Sequence, residues 1–282
     1  MNFFQKKHMI NCGGKLLDLS TPKVMGILNV TPDSFYDGGQ YNQMDKIWQQ
    51  TEKMLQDGAA IIDVGGMSSR PNAETVETEE ELKRVIPVIE QLVKEFPDIL
   101  ISIDTVKAKV AQEAVEAGAV MVNDISAGSM DANLIPTIGR LKVPYVLMHM
   151  QGKPQTMQHA PTYEDVVIEV IDFCRDKIEV LKTAGVEDII IDVGFGFGKT
   201  LTHNYQLLKH LNDFQLFELP ILAGISRKSM IYKALNIEPK EALNGTSVLH
   251  VLALQNGANL LRVHDVKKAV EVIDLMHLYH KV

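Results

Sequence analysis

Short apolar, β-branched runs recur along the chain. They lie at 24–30 (VMGILNV), 60–66 (AIIDVGG), 100–105 (LISIDT), 121–126 (MVNDIS), 144–150 (PYVLMHM), 189–194 (IIIDVG), 220–226 (PILAGIS) and 260–265 (LLRVHD). Between them lie stretches of helical length. In 78–94, Leu82, Val85, Ile86, Ile89 and Val93 fall at three- and four-residue steps with charges between, the period of an amphipathic helix. Several such stretches end in Asp57-Gly58, Ala117-Gly118, Ala184-Gly185 or Asn256-Gly257, where glycine suits the left-handed position past a helix end. Strands this uniformly apolar are buried on both faces, as in a parallel sheet covered by helices. Eight strand and helix units predict an α/β fold, a (β/α)8 TIM barrel, rather than an open doubly wound sheet. No Pro/Gly/Ser-rich linker or charge block divides the chain, so a single domain is expected over 24–282. Residues 1–23 are predicted to cap the bottom of the barrel, and 151–161 (QGKPQTMQHAP) to form a polar loop.

Composition narrows the function classes. Of 282 residues, 46% are hydrophobic and 23% charged, ordinary for a globular protein with a large core. The net charge of −8 argues against broad nucleic-acid binding, although a local basic cluster can still hold a small anion. Cys12 and Cys174 are too few for a disulfide framework. The N-terminal residues lack the apolar run of a signal peptide, and no stretch approaches the ~18 apolar residues of a membrane span. A soluble, cytoplasmic protein without membrane partners is the expectation.

Each run stays apolar until near its C-terminal end, where polar residues enter. These are Asn29, Asp63, Asp104, Asn123 with Asp124, His149, Asp192, Ser226 with Arg227 and Lys228, and Arg262 with His264. One strand-end aspartate often just caps the next helix. A ring of polar residues from nearly every strand converges on one rim of a barrel, where barrel enzymes keep their active sites. Carboxylates Asp104 and Asp192 with the amide of Asn123 suit a flat heterocycle bearing several N–H groups. Arg262, His264 and Asn29, from the last and first strands, suit an anion such as phosphate, and Asn29 offers a hard oxygen to Mg²⁺. Two stretches read as loops on the catalytic face: TPDSFYDGGQY at 31–41, with Asp33, Phe35 and Asp37, and GGMSSRPNAE at 65–74. IDVGFGFGKT at 191–200 imitates a nucleotide phosphate loop, but Val193 stands where the first glycine of that motif belongs.

The chain resembles the dihydropteroate synthase family along its whole length. The likeness is carried by NVTPDSF (29–35), GGMSSRP (65–71), SIDT (102–105), ND (123–124), DVGFGFGK (192–199), GISRKS (224–229) and RVHD (262–265). It implies a transferase of folate biosynthesis joining 6-hydroxymethyl-7,8-dihydropterin diphosphate to 4-aminobenzoate, with Mg²⁺ as cofactor, a homodimeric state and sensitivity to sulfonamides. By similarity, Asp104, Asn123, Asp192 and Lys228 bind the pterin between walls of Met148 and Phe197. Asn29, Arg262 and His264 hold the diphosphate, with the metal near Asn29. Phe35, Ser69, Arg70, Pro71, Lys228 and Ser229 surround the aminobenzoate, and Asp104, Lys228, Asp37 and Arg70 carry the chemistry. Two departures stand out: Met67-Ser68-Ser69-Arg70-Pro71-Asn72 where the family usually reads Glu-Ser-Thr-Arg-Pro-Gly, and Val193 where it usually has proline.

Two rival readings are less well served. A corrinoid methyltransferase domain also binds a folate pterin on a related barrel, but needs neither the Arg-x-His anion set nor the Ser-Arg-Pro loop. A Schiff-base lyase would use Lys228, yet no neighbour in the sequence evidently desolvates that lysine and Arg227 adjoins it.

Overall fold

The computed structural model describes residues 8–30, 40–67, 76–152, 157 and 160–281, apart from the side chains of 40–43. A hairpin comes first, β1 (Met9–Cys12) and β2 (Lys15–Asp18), paired antiparallel with Met9 opposite Asp18. Then follow β3 (Lys23–Asn29), β4 (Ile61–Gly65), β5 (Ile101–Asp104), β6 (Met121–Asp124), β7 (Tyr145–Met148), β8 (Ile189–Asp192), β9 (Ile221–Ala223) and β10 (Leu260–Val263). These strands close a barrel in chain order, β10 completing the ring against β3. Every pairing in the ring is parallel. The helices are α1 (Gln40–Gln56), α2 (Thr78–Glu95), α3 (Ala108–Glu116), α4 (Leu134–Leu141), α5 (Val166–Thr183), α6 (Leu201–Lys209), α7 (Ser229–Leu235), α8 (Leu243–Gln255) and α9 (Val266–Lys281). The result is the single-domain (β/α)8 barrel that the spacing predicts. The four glycines expected past helix ends all have positive φ, from 85° at Gly185 to 116° at Gly118.

The period of two along each strand sorts the side chains. Val24, Leu28, Ile62, Val64, Ile101, Ile103, Val122, Leu147, Ile189, Ile191, Leu261 and Val263 join the helices in the main core. Their neighbours Met25, Ile61, Met121, Val146, Ile190, Leu222 and Leu260 form a separate cluster inside the ring, on which Ile10, Cys12, Leu17 and Leu19 of the hairpin are seated. Apolar side chains therefore close the bottom of the barrel. One step of two further up from Ile61, Met121, Val146, Ile190 and Leu260, the inward positions become Asp63, Asn123, Met148, Asp192 and Arg262, and on β5 Asp104 stands two above the buried Ser102.

Several predicted strands stop early. The run 121–126 ends at Asp124, because its carboxylate accepts from the amides of Ser126 (2.7 Å) and Gly128 (2.6 Å) and folds the chain into a turn. Asp63, expected near a strand end, sits mid-strand and fully buried. Both cysteines are free and buried, which pushes each thiol pKa up to about 12. Among the described residues, no helix is long and apolar enough to cross a membrane.

Candidate active site

At the top of the barrel a network of ionised groups fills the ring. Arg262 donates from Nε to Asp63 Oδ2 and from Nη2 to Asp104 Oδ2, each at 2.6 Å. Asn123 Nδ2 donates to the same oxygen of Asp63 at 3.0 Å. One carboxylate thus fixes both an arginine and an amide, although sequence reasoning assigned Asp63 no role. Its other oxygen, Oδ1, is buried and has no hydrogen-bond partner among the described residues, as is true of the hydroxyl of Ser102, its neighbour in register on β5. Burial opposes the Arg262 charge, but Asp63 and Asp104 outweigh it and hold the guanidinium pKa above its ordinary value. Burial pushes Asp104 up to about 7 against the pull of Arg262, with Asp63 adding to the rise.

Asp192 stands across the ring. Burial raises its pKa, opposed by Lys228 and by the amide of Gly194, which donates to Oδ1 at 2.7 Å. Lys228 donates to the carbonyl of Phe195 at 2.5 Å and lies 4.6 Å from the centre of the Phe197 ring. Burial draws its pKa down to about 8, with Asp192 resisting. The expectation that nothing desolvates Lys228 is therefore wrong: its desolvating neighbours come from β8 and the turn after it, distant in sequence. Met148 and Phe197 meet Val106, Ile125 and Met157 in an apolar cluster beside this charged network. Asn29 Oδ1 and Asp104 Oδ2 lie 3.7 and 3.8 Å from where a Cβ on Gly65 would sit, so the two oxygens share the space above that residue.

Adjacent residues divide between the site and its frame. Asn123 faces the ring, whereas Asp124 also accepts from the buried hydroxyl of Tyr145 at 2.6 Å. Lys228 enters the site, whereas Arg227, at φ +54°, grips Asp265 at 2.7 and 2.9 Å and donates to the Lys240 carbonyl. Asp265 of the RVHD motif is thereby a brace for the β9 turn. Arg262 turns into the carboxylates, while His264 is exposed, its backbone amide and Nδ1 each 3.2 Å from Ser226 Oγ. Ser229 opens the seven-residue α7. Of the other predicted site residues, Phe35, Asp37, Ser69, Arg70 and Pro71 lie outside the described residues.

The stretch that imitates a phosphate loop is inverted in polarity. A phosphate loop turns backbone amides toward an anion. Here carbonyls surround a cation: Lys199 Nζ donates to Gly194 O and Phe197 O at 3.0 Å and to His149 O at 3.3 Å, and meets His149 Nδ1 at 2.9 Å. Burial draws Lys199 down to about 7, and burial together with Lys199 draws His149 down to about 2. The imidazole is therefore neutral, and its Nδ1 accepts when Lys199 is a charged ammonium. Thr200, which would face a metal in a nucleotide loop, instead caps α6, its hydroxyl accepting from the amide of His203 at 3.2 Å. Gly194 has φ +71°, and a Cβ there would collide with the His149 carbonyl, so the turn after β8 lies backbone to backbone on the segment after β7.

Comparison with known proteins fits this geometry. The family model described as "Pterin binding enzyme" matches residues 25–264. The dihydropteroate synthase of Escherichia coli K12 is 48% identical over 262 residues, covering 92% of each chain. A Yersinia pestis dihydropteroate synthase crystallised with a sulfonamide superposes with a TM-score of 0.91 at 44% identity, covering 97% of this chain and 100% of that one. The Xanthomonas albilineans dihydropteroate synthase in complex with 7,8-dihydropteroate gives 0.88 at 41%, covering 97% and 99%. With a barrel closed in this order and matches over nearly its whole length, this chain belongs to the dihydropteroate synthase family of pterin-binding enzymes.

Proposed function

We propose that the chain condenses 6-hydroxymethyl-7,8-dihydropterin diphosphate with 4-aminobenzoate, releasing 7,8-dihydropteroate and diphosphate in folate biosynthesis. The observation that carries this reading is the layer of Asp63, Asp104, Asn123, Asp192, Lys228 and Arg262 at the mouth of an otherwise apolar barrel. Asp192 and Asn123 offer acceptors and a donor to the edge of a flat N–H-rich ring, and Met148 and Phe197 cover its faces. The C–O bond to diphosphate breaks first in this reading, the leaving group departing with the bonding pair. The methylene cation left behind is conjugated with the dihydropterin, and the Asp104 carboxylate stabilises it across a dry site where charge interactions are strong. The arylamine nitrogen then forms the new C–N bond as its proton leaves. No covalent enzyme nucleophile is needed, which separates this chemistry from a Schiff-base lyase.

Arg262 has two tasks in this scheme. It is already shared by two carboxylates, so an arriving diphosphate competes with Asp63 and Asp104 for its N–H groups. His264, exposed beside Ser226, would meet the outer phosphate. Mg²⁺ suits Asn29 Oδ1, near Asp104 Oδ2 above Gly65, as a hard-oxygen position. No group of three His, Cys, Asp or Glu that could hold a metal occurs among the described residues, which suits an ion held largely by substrate phosphates and water. When bound, the metal would neutralise charge on the departing diphosphate. Exposed apolar residues on the neighbouring α6, α7 and α8, namely Tyr205, Leu235, Val248 and Leu252, favour a homodimer through that face. A cytoplasmic location accompanies the reading.

Incubating the purified protein with both substrates and Mg²⁺ should release diphosphate and form dihydropteroate. A sulfonamide should raise the apparent KM for aminobenzoate without lowering kcat. Absence of diphosphate release would overturn the assignment.

A further inference from the structure

We propose that Lys199 is a positioning residue for the pterin, its ammonium setting the turn that carries Asp192 and Phe197 against the segment that carries Met148. The inference rests on the pterin role of those three residues. Lys199 is 3% exposed, and among the described residues its ammonium's hydrogen-bond partners are neutral: three backbone carbonyls and one imidazole. Asp192 favours the charge from a distance, but a buried cation with no carboxylate hydrogen-bonded to it among the described residues is costly to keep for packing alone. Its three N–H donors diverge, however, which lets one atom tie two separate segments together. Gly194 and Phe197 belong to the turn after β8, and His149 directly follows β7. The glycines allow the approach, since a Cβ at Gly194 would strike the His149 carbonyl and one at Gly198 the Gln151 carbonyl.

The turn is gripped from its other side as well. The carbonyl of Phe195, which lies in sequence between the two that face Lys199, accepts from Lys228 instead. The carbonyls of this turn are thus divided between two lysines, those of Gly194 and Phe197 going to Lys199 and that of Phe195 to Lys228. Phe197 is suspended between them, its carbonyl on Lys199 and its ring beside the Lys228 ammonium at 4.6 Å. Removing Lys199 would take the ammonium from the carbonyls of Phe197 and His149 and from His149 Nδ1, leave Gly194 O with only the amide of Phe197, and let the turn relax away from β7.

Calorimetry with 6-hydroxymethyl-7,8-dihydropterin diphosphate, paired with steady-state kinetics, tests this. Lys199→Met should weaken pterin binding about tenfold or more, the loss expected from one or two charge-assisted hydrogen bonds, while the aminobenzoate KM stays within about twofold. Leu207→Ala, in the outer core, should lower the melting temperature without moving pterin affinity. In Lys199→Ala, added ethylammonium should restore pterin affinity and 1-propanol should not. Unchanged affinity in Lys199→Met overturns the proposal, whereas a wild-type protein that binds no pterin overturns the underlying site reading instead. If Lys199→Met does not fold, the rescue of Lys199→Ala decides. Failure of ethylammonium to recover pterin binding would mean that the lysine only holds the fold.

Discussion

The two ends of this barrel are built from the same strands and do opposite things. At the bottom, Met25, Ile61, Met121, Val146, Ile190, Leu222 and Leu260 meet the hairpin residues Ile10, Leu17 and Leu19 in a dry apolar plug. One inward step up, Asp63, Asn123, Asp192 and Arg262 occupy the equivalent positions, joined by Asp104 above Ser102 on β5. Burial lowers the free energy of the first layer and raises that of charges in the second. Asp104, held near neutral pH by its surroundings, and Lys228, drawn down by its own, carry that cost. The plug stabilises the ring whose mouth stores the strain, and clustering of perturbed groups is a mark of functional sites.

Breaking the mouth should produce the largest change. Arg262→Ala should cut kcat/KM on the order of 10³-fold. It should also cost about 3–5 kcal/mol of stability, because Asp63 and Asp104 lose the cation that pairs them. Parallel losses in substrate binding and in chemical denaturation would confirm the shared role; lost activity with unchanged stability would show that the carboxylates do not depend on Arg262. Breaking the plug should separate the two ends. Leu19→Ala, at a fully buried hairpin position, should cost about 2–5 kcal/mol in urea unfolding and leave both KM values within about twofold. A raised pterin KM would mean that the plug also shapes the site.

The smallest effect has an informative sign. The folded pKa of Asp104, about 7, lies above its ordinary 3.8, so between those values the folded chain binds a proton that the unfolded chain lacks. This carboxyl therefore lowers stability progressively as pH rises through that window, and the full cost is present above pH 7. Asp104→Asn should melt a few degrees above the wild type at pH 8, with the gain shrinking toward pH 4, while turnover is lost. A variant that melts lower at pH 8 than at pH 4, relative to wild type, would show that pairing with Arg262 outweighs the burial of Asp104.

Much of this was legible along the chain. The eight apolar runs and the glycines past helix ends specify the barrel, because both reflect local rules of burial and backbone conformation. Asp104, Asn123, Asp192 and Lys228 are legible as polar residues at strand ends, Met148 and Phe197 follow only from the family resemblance, and the structure brings them to one mouth. Asp63 was passed over as one more strand-end aspartate. Its position two residues ahead of the glycine-rich loop hid the contact with Arg262, which lies 199 residues away. A signal was nevertheless present: counting in twos from Ile61 places Asp63 on the inner face, and the same count separates Asn123 from Asp124 and Met148 from His149.

The sequence by itself determined the barrel, its single-domain extent, the rim that carries the chemistry and the family whose motifs it bears. Those follow from periodicity and residue type, which are properties of neighbours along the chain. Only the tertiary structure decided the pairing of charges. Arg262 goes to Asp63 and Asp104, Arg227 goes to Asp265, and Lys199 goes to carbonyls and an imidazole. An ion's partner is chosen by distance and desolvation once the ring has closed, and neither quantity exists until the eight strands meet.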